Sequence, residues 1–330
     1  MSIRFLSAGD SHGPTMVGII EGLPAGVRIA ERDIVKDLAR RRNPYGRSSR
    51  QSIEDDAVSI LSGLWKGRTT GAPLALLVAN RGRTVKGKKG GALGTVLRPG
   101  HADFAGCFKY GFDRVPPISE RASARSTVVR VAIGAVAKSA LKPFSIETAA
   151  HGLSMGRVTA PSRADETPAN VRRRTARSPV YCADAAASRG MIEEIRLAKK
   201  EGNSLGGSVE VLVGGAVPGL GSHVEWDRKL DARLAAAMMS IQSVKAVEIG
   251  DGIASAARRG INVHDAMRVE GGRVVRDTNF AGGIEGGMTN GETVVVRAYA
   301  KPIPTARRRA GTFNMKTLRP AQSPYVRSDV

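Results

Sequence analysis

Apolar positions recur along this chain in two rhythms. In "RIAERDIVKDLARRR", Ile34, Val35 and Leu38 share one helical face, arginines fill the last turn where cations complement the helix dipole, and Asn43-Pro44 ends the run. "SARSTVVRVAIGAVAKSAL" repeats Val128, Val131, Ala132, Ala135 and Val136 at helical spacing and stops at Pro143. A helix start carrying Arg121, Ser123 and Arg125 would suit an anion. "DRKLDARLAAAMMSIQ" predicts a third helix with Leu230, Leu234, Ala237, Met238 and Ile241 facing inward and its methionine pair filling core. The other rhythm is that of strands: "VGIIEGLPAG" runs into a turn, "VSILSGLWKGRTTGAPLALLV" reads as two strands with a glycine-rich connection, and "GGSVEVLVGGAV" and "GETVVVRAYAKPI" complete the set. Short connections argue for antiparallel pairing. No repeat or linker interrupts the series, so one mixed domain with three long helices is expected.

Composition narrows the class. With 330 residues, 42% hydrophobic and 25% charged, the chain can bury a substantial core. No basic segment followed by an apolar stretch opens it, and runs such as "LAAAMMSI" fall far short of the ~20 residues that span a bilayer, so a cytoplasmic protein is expected. Cys107 and Cys182 have no metal-type spacing and read as free thiols.

Charge changes the picture more. Lys+Arg number 51 against 30 Asp+Glu, a formal +21, which calls for an anionic partner. Basic clusters lie at 39–50, 80–91, 170–179 and 306–311. Aromatics are only 4%, and no basic, aromatic-studded strand offers bases a stacking surface, so nucleic acid is the weaker reading beside small phosphates and carboxylates. "GKKG" at 87–90 mimics a KH loop without the two flanking helices. Neither a Rossmann fingerprint nor a P-loop is present.

Three stretches carry candidate chemistry. "SAGDSHGPTM" (7–16) sets His12 between Gly9 and Gly13, and its G-x-S-x-G match would make Ser11 the nucleophile of a serine hydrolase, but such an elbow needs a helix behind it. In "RPGHADFAGCFKYG" (98–111), His101 sits beside Arg98 and Asp103. "GGIEGGMTNGE" (282–292) feeds a strand ending in "KPIPT" (301–305), glycine-dense backbone that a flat or phosphorylated ligand could approach closely.

Taken in order, "GDSHGPTMVGIIEGLPAG", "LARRRNPYGRSSRQSIEDDAVSILSG", "RPGHADFAGCFKYGF", "ERASARSTVVRVAIGAVAK", "EGNSLGGSVEV", "MSIQSVKAVEIGDG", "NFAGGIEGGMTNGE", "KPIPT" and "RSDV" closely resemble the chorismate synthase family through essentially the whole chain. The resemblance implies an α+β fold, a β-α-β sandwich with helices packed between antiparallel sheets, assembled as a homotetramer. It implies a lyase that converts 5-enolpyruvylshikimate 3-phosphate to chorismate and phosphate by 1,4-elimination, the last step of the shikimate pathway. It also implies reduced FMN as cofactor; bacterial-type length favours flavin reduced by another source, with NADPH an indirect reductant. Under it, His12 attends the departing phosphate, His101 the pyrimidine side of the flavin, and Asp329 the flavin N5. Ser11 becomes a supporting hydrogen-bonder. Arg41, Arg47, Arg98, Arg125 and Arg327 surround substrate and flavin phosphate, and Arg121, Ala122, Ser123, Gln242, Ser243, Gly286, Lys301, Pro302, Ile303, Pro304, Thr305 and Arg327 contact FMN. A basic nucleic-acid binder and a serine hydrolase are the alternatives.

Some positions depart from the family pattern: Asp10 stands for Glu, Ser126 for Glu, Ser243 for Ala and Ala246 for Gly. Family members continue past "RSDV", so the chain reads as a single domain lacking the usual C-terminal segment.

Overall fold

The computed structural model describes residues 3–47, 56–80 and 94–325. They fall into two compact units: residues 1–140, 196–204 and 303–330 in the first, and residues 141–195 and 205–302 in the second.

The first unit is built on a four-stranded antiparallel sheet. Its strands are β1 (Arg4–Ala8), β2 (Thr15–Glu21), β3 (Val58–Ser62) and β4 (Leu74–Ala79), in the order β1-β2-β4-β3. Its helices are α1 (Glu31–Arg42), α2 (Asp103–Tyr110), α3 (Pro116–Ala122) and α4 (Thr127–Leu141). Strand β4 alternates strictly, with Leu74, Leu76 and Val78 at 0% exposure on one face. That face shares one core with Val128, Val129, Ala132 and Val136 of α4 and with Ile34 and Leu38 of α1. Gly18 of β2 is what lets α4 settle so near: a Cβ there would lie 2.5 Å from Val129 Cγ1.

Two expectations change here. Val35 is 44% exposed, so the buried stripe of α1 is narrower than its spacing suggested. Arg121 and Ser123 do not start α4. Ser123 takes extended φ/ψ (−64°, 142°) and breaks the chain between α3 and a short turn, Ala124–Ser126, that leads into α4.

The second unit holds a five-stranded antiparallel sheet. Its strands are β5 (Glu147–Met155), β6 (Val158–Thr159), β7 (Gly207–Gly214), β8 (Val244–Ile249) and β9 (Val294–Ala300), in the order β8-β9-β7-β5-β6. Strand β9 is buried from Val294 through Ala298 because both its faces are covered. On one side Val295 and Leu212 pack with Val171 of α5 (Pro168–Thr175); on the other Val294 and Val296 meet Leu230, Leu234 and Met238 of α7 (Leu230–Met239). Along the chain between α5 and α7 comes α6 (Ala185–Glu201), whose Met191 packs with Ala160, Cys182 and Ala187. Both sheets and their helices thus give the expected α+β class. No described helix is long and apolar enough to cross a membrane.

Helix α7 corrects another expectation. None of its residues is fully buried, Ala237 and Met239 are exposed, and Ile241 lies beyond its end at 36% exposure, because α7 packs chiefly on the edge strand β8. The longest helix, α6, was not foreseen. Its signals were present: Asp184 Oδ1 accepts the Ala187 N–H at 2.8 Å as a helix-start cap, and Gly202 follows the helix with φ of 68°.

One face of the second sheet carries charge where apolar residues would be expected. His151, Glu210, Arg297 and Glu248 are paired rung by rung across β5, β7, β9 and β8. All four are under 9% exposed. Glu210 bonds His151 Nε2 at 3.0 Å, Arg297 Nε at 2.8 Å, Ser162 Oγ at 2.7 Å and the Arg163 N–H at 2.7 Å. Burial opposes its charge, yet these donors hold the carboxyl down at about 2. Burial likewise opposes charge on His151, but the Cys182 thiol and the Glu210 carboxylate push it up to about 9.

The His151 value lies above the ordinary imidazole pKa of ~6.5, so its contribution to stability is complete below that pH and lost as pH rises through about 9. Urea-unfolding midpoints should therefore hold below about pH 6.5, decline between about 6.5 and 9, and lose nothing further from this group above that. A His151→Gln variant should be weaker at neutral pH and show a flatter alkaline limb. An alkaline decline as steep in the variant as in the parent would refute the assignment.

Candidate active site

The turn after β1 is held from three directions. Gly9 takes φ of 114°, and a Cβ there would meet the Thr15 carbonyl at 2.6 Å, so only glycine can start the turn. Asn80, just past β4, donates from Nδ2 to the Ser11 and Gly13 carbonyls at 2.7 and 2.9 Å. Its buried Oδ1 has no partner among the described residues. From α3, the Glu120 carbonyl accepts the Ser11 N–H, and its carboxylate takes both the His12 N–H and His12 Nδ1 at 2.7 Å each.

The chain after Gly13 enters strand β2, so no helix stands behind a nucleophile elbow. Ser11 is 6% exposed and donates to Ser123 Oγ at 3.1 Å rather than to a histidine, which removes the hydrolase reading.

Hydrogen bonds continue from this turn into the arginines. Ser123 Oγ also accepts the Arg125 N–H at 3.3 Å. Arg125 Nη1 donates to Asp56 Oδ1 at 2.6 Å, and Arg41 Nη1 reaches Asp56 Oδ2 at 3.3 Å while its Nε donates to Thr127. One fully buried carboxylate therefore lies between two buried guanidinium groups. Asp56 adopts φ of 45°, a left-handed conformation that Asp tolerates better than most residues. Arg121 donates through Nη2 to both the carbonyl and the hydroxyl of Ser7 in β1. Arg47 is half-buried in the turn following α1, and Ala122 is the last residue of α3.

His101 belongs to a second cluster. Asp103, at 0% exposure on the first turn of α2, accepts Arg98 Nε and Nη2 at 2.7 Å each and the Arg98 N–H at 3.1 Å. His101 Nδ1 is 2.5 Å from Asp103 Oδ1, which makes that nitrogen the donor; the 3.0 Å approach of Arg98 Nη2 is then a contact between two donors. Burial alone would raise the Asp103 carboxyl, but the bonds from Arg98 and His101 hold it at about 2. Arg98 was expected to bind substrate, yet most of its fork is taken up by Asp103.

In the second unit the Lys301 N–H donates to the Ser243 carbonyl at 2.9 Å, with Ser243 at φ of 71°. This ties the residue before β8 to the residue after β9. Gly206 lets Pro302 approach, since a Cβ there would lie 3.0 Å from its Cδ. Gly286, at φ of 57°, faces open space, where a Cβ would meet no atom within 4 Å. Ile303 belongs to the first unit, where its carbonyl accepts Ser204 Oγ at 2.8 Å; Pro304 and Thr305 follow it. Arg327 and Asp329 lie outside the described residues.

Glu120, Asn80, Asp56 and Asp103 as the anchor of Arg98 all escaped sequence reasoning. Only Asp103 carried a local signal, its two-residue spacing from His101.

Two imidazoles each have Nδ1 on a carboxylate, and buried guanidinium groups are held by Asp56 and Asp103, an arrangement whose chemistry suits an enzyme acting on an anion. A family model described as chorismate synthase matches residues 3–330. Chorismate synthase of Paenarthrobacter aurescens (strain TC1) is 47% identical over 345 residues, covering 99% of this chain and 86% of that one. That of Thermobifida fusca (strain YX) is 45% identical over 344 residues, covering 99% and 88%. A solved structure titled "Crystal Structure of Chorismate Synthase" aligns with TM-score 0.80 at 38% identity over 92% of this chain and 84% of its own. The chain belongs to the chorismate synthase family, lyases of aromatic amino-acid biosynthesis.

Asp103→Asn should cost about 3–5 kcal/mol at neutral pH, because it leaves Arg98 buried without its counter-charge. The depressed carboxyl contributes stability above its ordinary ~3.9 and loses it as pH falls through about 2. The gap between parent and variant in chemical unfolding should thus be full at about pH 5 and narrow as pH falls from about 4 to about 2. A gap unchanged down to about pH 2 would exclude this origin.

Proposed function

We propose that this chain converts 5-enolpyruvylshikimate 3-phosphate to chorismate and phosphate, as a single catalytic domain in a cytoplasmic homotetramer that binds reduced FMN. The observation that carries the proposal is the unbroken hydrogen-bonded path from Glu120 and His12 through Ser11, Ser123 and Arg125 to Asp56 and Arg41. It fixes an acid–base group and two guanidiniums in one rigid frame before any ligand arrives, which is where binding energy becomes orientation.

Taken unit by unit, the donors have the right chemistry for FMN: in the first unit Arg121, the Ser123 hydroxyl and Thr305 suit a phosphate, and in the second Lys301 suits a phosphate and the open space at Gly286 suits the edge of a flat ring. The family resemblance adds Gln242, Ser243, Pro302 and Arg327 to these contacts and Asp329 near N5. When bound, reduced FMN supplies the electron density that a poor leaving group and a non-acidic hydrogen demand. NADPH enters only as an indirect source of that reduction.

The chain's own residues do the rest. His12, with Nδ1 on Glu120, gives a proton to the phosphate oxygen as the C3–O bond breaks. His101, oriented by Asp103, holds a proton toward the flavin edge. Arg41, Arg47 and Arg125 neutralise the substrate's carboxylates and phosphate.

An anaerobic assay with substrate and chemically reduced FMN should release phosphate and chorismate in equal amounts. His12→Ala and His101→Ala should each lower kcat by roughly 10²–10⁴-fold, and Ser11→Ala by less. Oxidised FMN should bind more tightly when substrate is present, read by flavin fluorescence. Loss of activity on Ser11→Ala with His101→Ala unaffected would overturn these roles.

A further inference from the structure

We propose that a cluster of surface cations, formed by the end of α6 and residues 307–309, steers anionic ligands toward the site: it sets how fast phosphorylated molecules arrive and makes no contact with them once bound. The inference rests on the reading of Thr305 and of the turn after α1 as ligand contacts.

Two short segments of the first unit build the cluster. Residues 196–204 and 303–311 hold six arginines and lysines against one carboxylate, Glu201. The backbone brings them together. The Arg308 N–H donates to the Gly202 carbonyl at 3.0 Å, the Gly202 N–H donates to the Lys199 carbonyl at 3.2 Å, and a Cβ on Gly202 would lie 2.9 Å from Arg307 Cβ. Lys199, Lys200, Arg307, Arg308 and Arg309 are exposed, and none of them forms an ion pair with a carboxylate among the described residues. Lysines in the last turn of a helix complement its dipole, which accounts for Lys199 and Lys200. That account does not reach residues 307–309, which stand on no helix and whose adjacent guanidiniums repel one another. What the cluster does produce is a positive potential over this part of the surface.

The proposed ligand contacts adjoin the cluster on two sides. Arg307 follows Thr305 by two residues, so their Cα atoms are at most ~7 Å apart. On the other side Lys199 Nζ lies 5.4 Å from the centre of the Tyr45 ring, and Arg196 Nε donates to the Tyr45 hydroxyl at 3.4 Å. Tyr45 belongs to the turn that leads from α1 to Arg47. Salt screens charges over ~10 Å at 0.1 M, so the field of the cluster covers the approach to both contacts. The buried arginines are poorer sources of such a field, because Asp56 and Asp103 offset their charge at close range. An anion bearing a phosphate and two carboxylates is therefore drawn in by exposed cations and held by buried ones.

The test compares the parent with Arg308→Gln/Arg309→Gln and with Lys199→Gln/Lys200→Gln, exposed positions where glutamine leaves the main-chain bonds intact. Association of oxidised FMN is followed by stopped-flow flavin fluorescence, and kcat/KM for 5-enolpyruvylshikimate 3-phosphate by the anaerobic assay, each from about 20 mM to about 0.5 M salt. At the low end each double variant should slow FMN association and lower kcat/KM by about 3–10-fold, with kcat and FMN dissociation altered less than about twofold. At about 0.5 M the three proteins should coincide. The salt slope should be steeper for the substrate, which carries roughly twice the charge of FMN, and riboflavin, which has no phosphate, should associate with all three alike. Parallel salt slopes in the three proteins, or a deficit in the variants that persists at about 0.5 M salt, would overturn the proposal. A parent that neither binds FMN nor turns over the substrate would instead overturn the reading on which it rests.

Discussion

A guanidinium cannot shed its charge, so an arginine taken out of water must be met by a carboxylate at close range. That requirement organises this molecule. Arg125 and Arg41 share Asp56, Arg98 is clasped by Asp103, and Arg297 is paired to Glu210. Each anion is itself at 2% exposure or less, so neither partner can be removed without stranding the other. The arrangement costs desolvation energy that apolar packing would have avoided. What it gains is guanidinium groups whose directions are set by the fold rather than found on binding.

Around those pairs the backbone does the placing. Gly9 permits a turn that no other residue could start, Gly18 lets α4 come down onto β2, and Asn80 ties the far side of the same turn to the end of β4. The residues that touch substrate under the proposed function stand on ends of elements: just past β1, in the last turn of α1, between α3 and α4, and just before α2. Strands and helices supply rigidity, and their ends supply the exposed groups.

How much of this could be read from the chain depends on range. Helices α1 and α4 and strands β2, β7 and β9 follow local rhythm, and the antiparallel pairing follows from short connections. The buried face of α7 was misjudged because periodicity shows that a stripe exists, not how much protein covers it. Helix α6 was missed although its cap and trailing glycine were visible. The stretches around His12 and His101 stood out in the chain itself, their roles and several of the arginines came from resemblance to a family, and of the counter-charges only Asp103 was in view. Glu120 lies 108 residues from His12 and Asp56 69 from Arg125, separations across which a lone carboxylate has no sequence signature.

The charged row across the second sheet has a consequence for how that sheet assembles. Side chains in a strand switch faces with every residue, so a slip of one position in β7 or β9 would turn Glu210 or Arg297 away from its partners. An apolar strand that slips loses some contacts and can linger in the wrong alignment. A strand carrying one rung of this row would instead bury an unmatched charge, a far larger penalty. The row works as a key in a lock, admitting a single alignment of the inner strands and expelling near misses while the sheet is still forming.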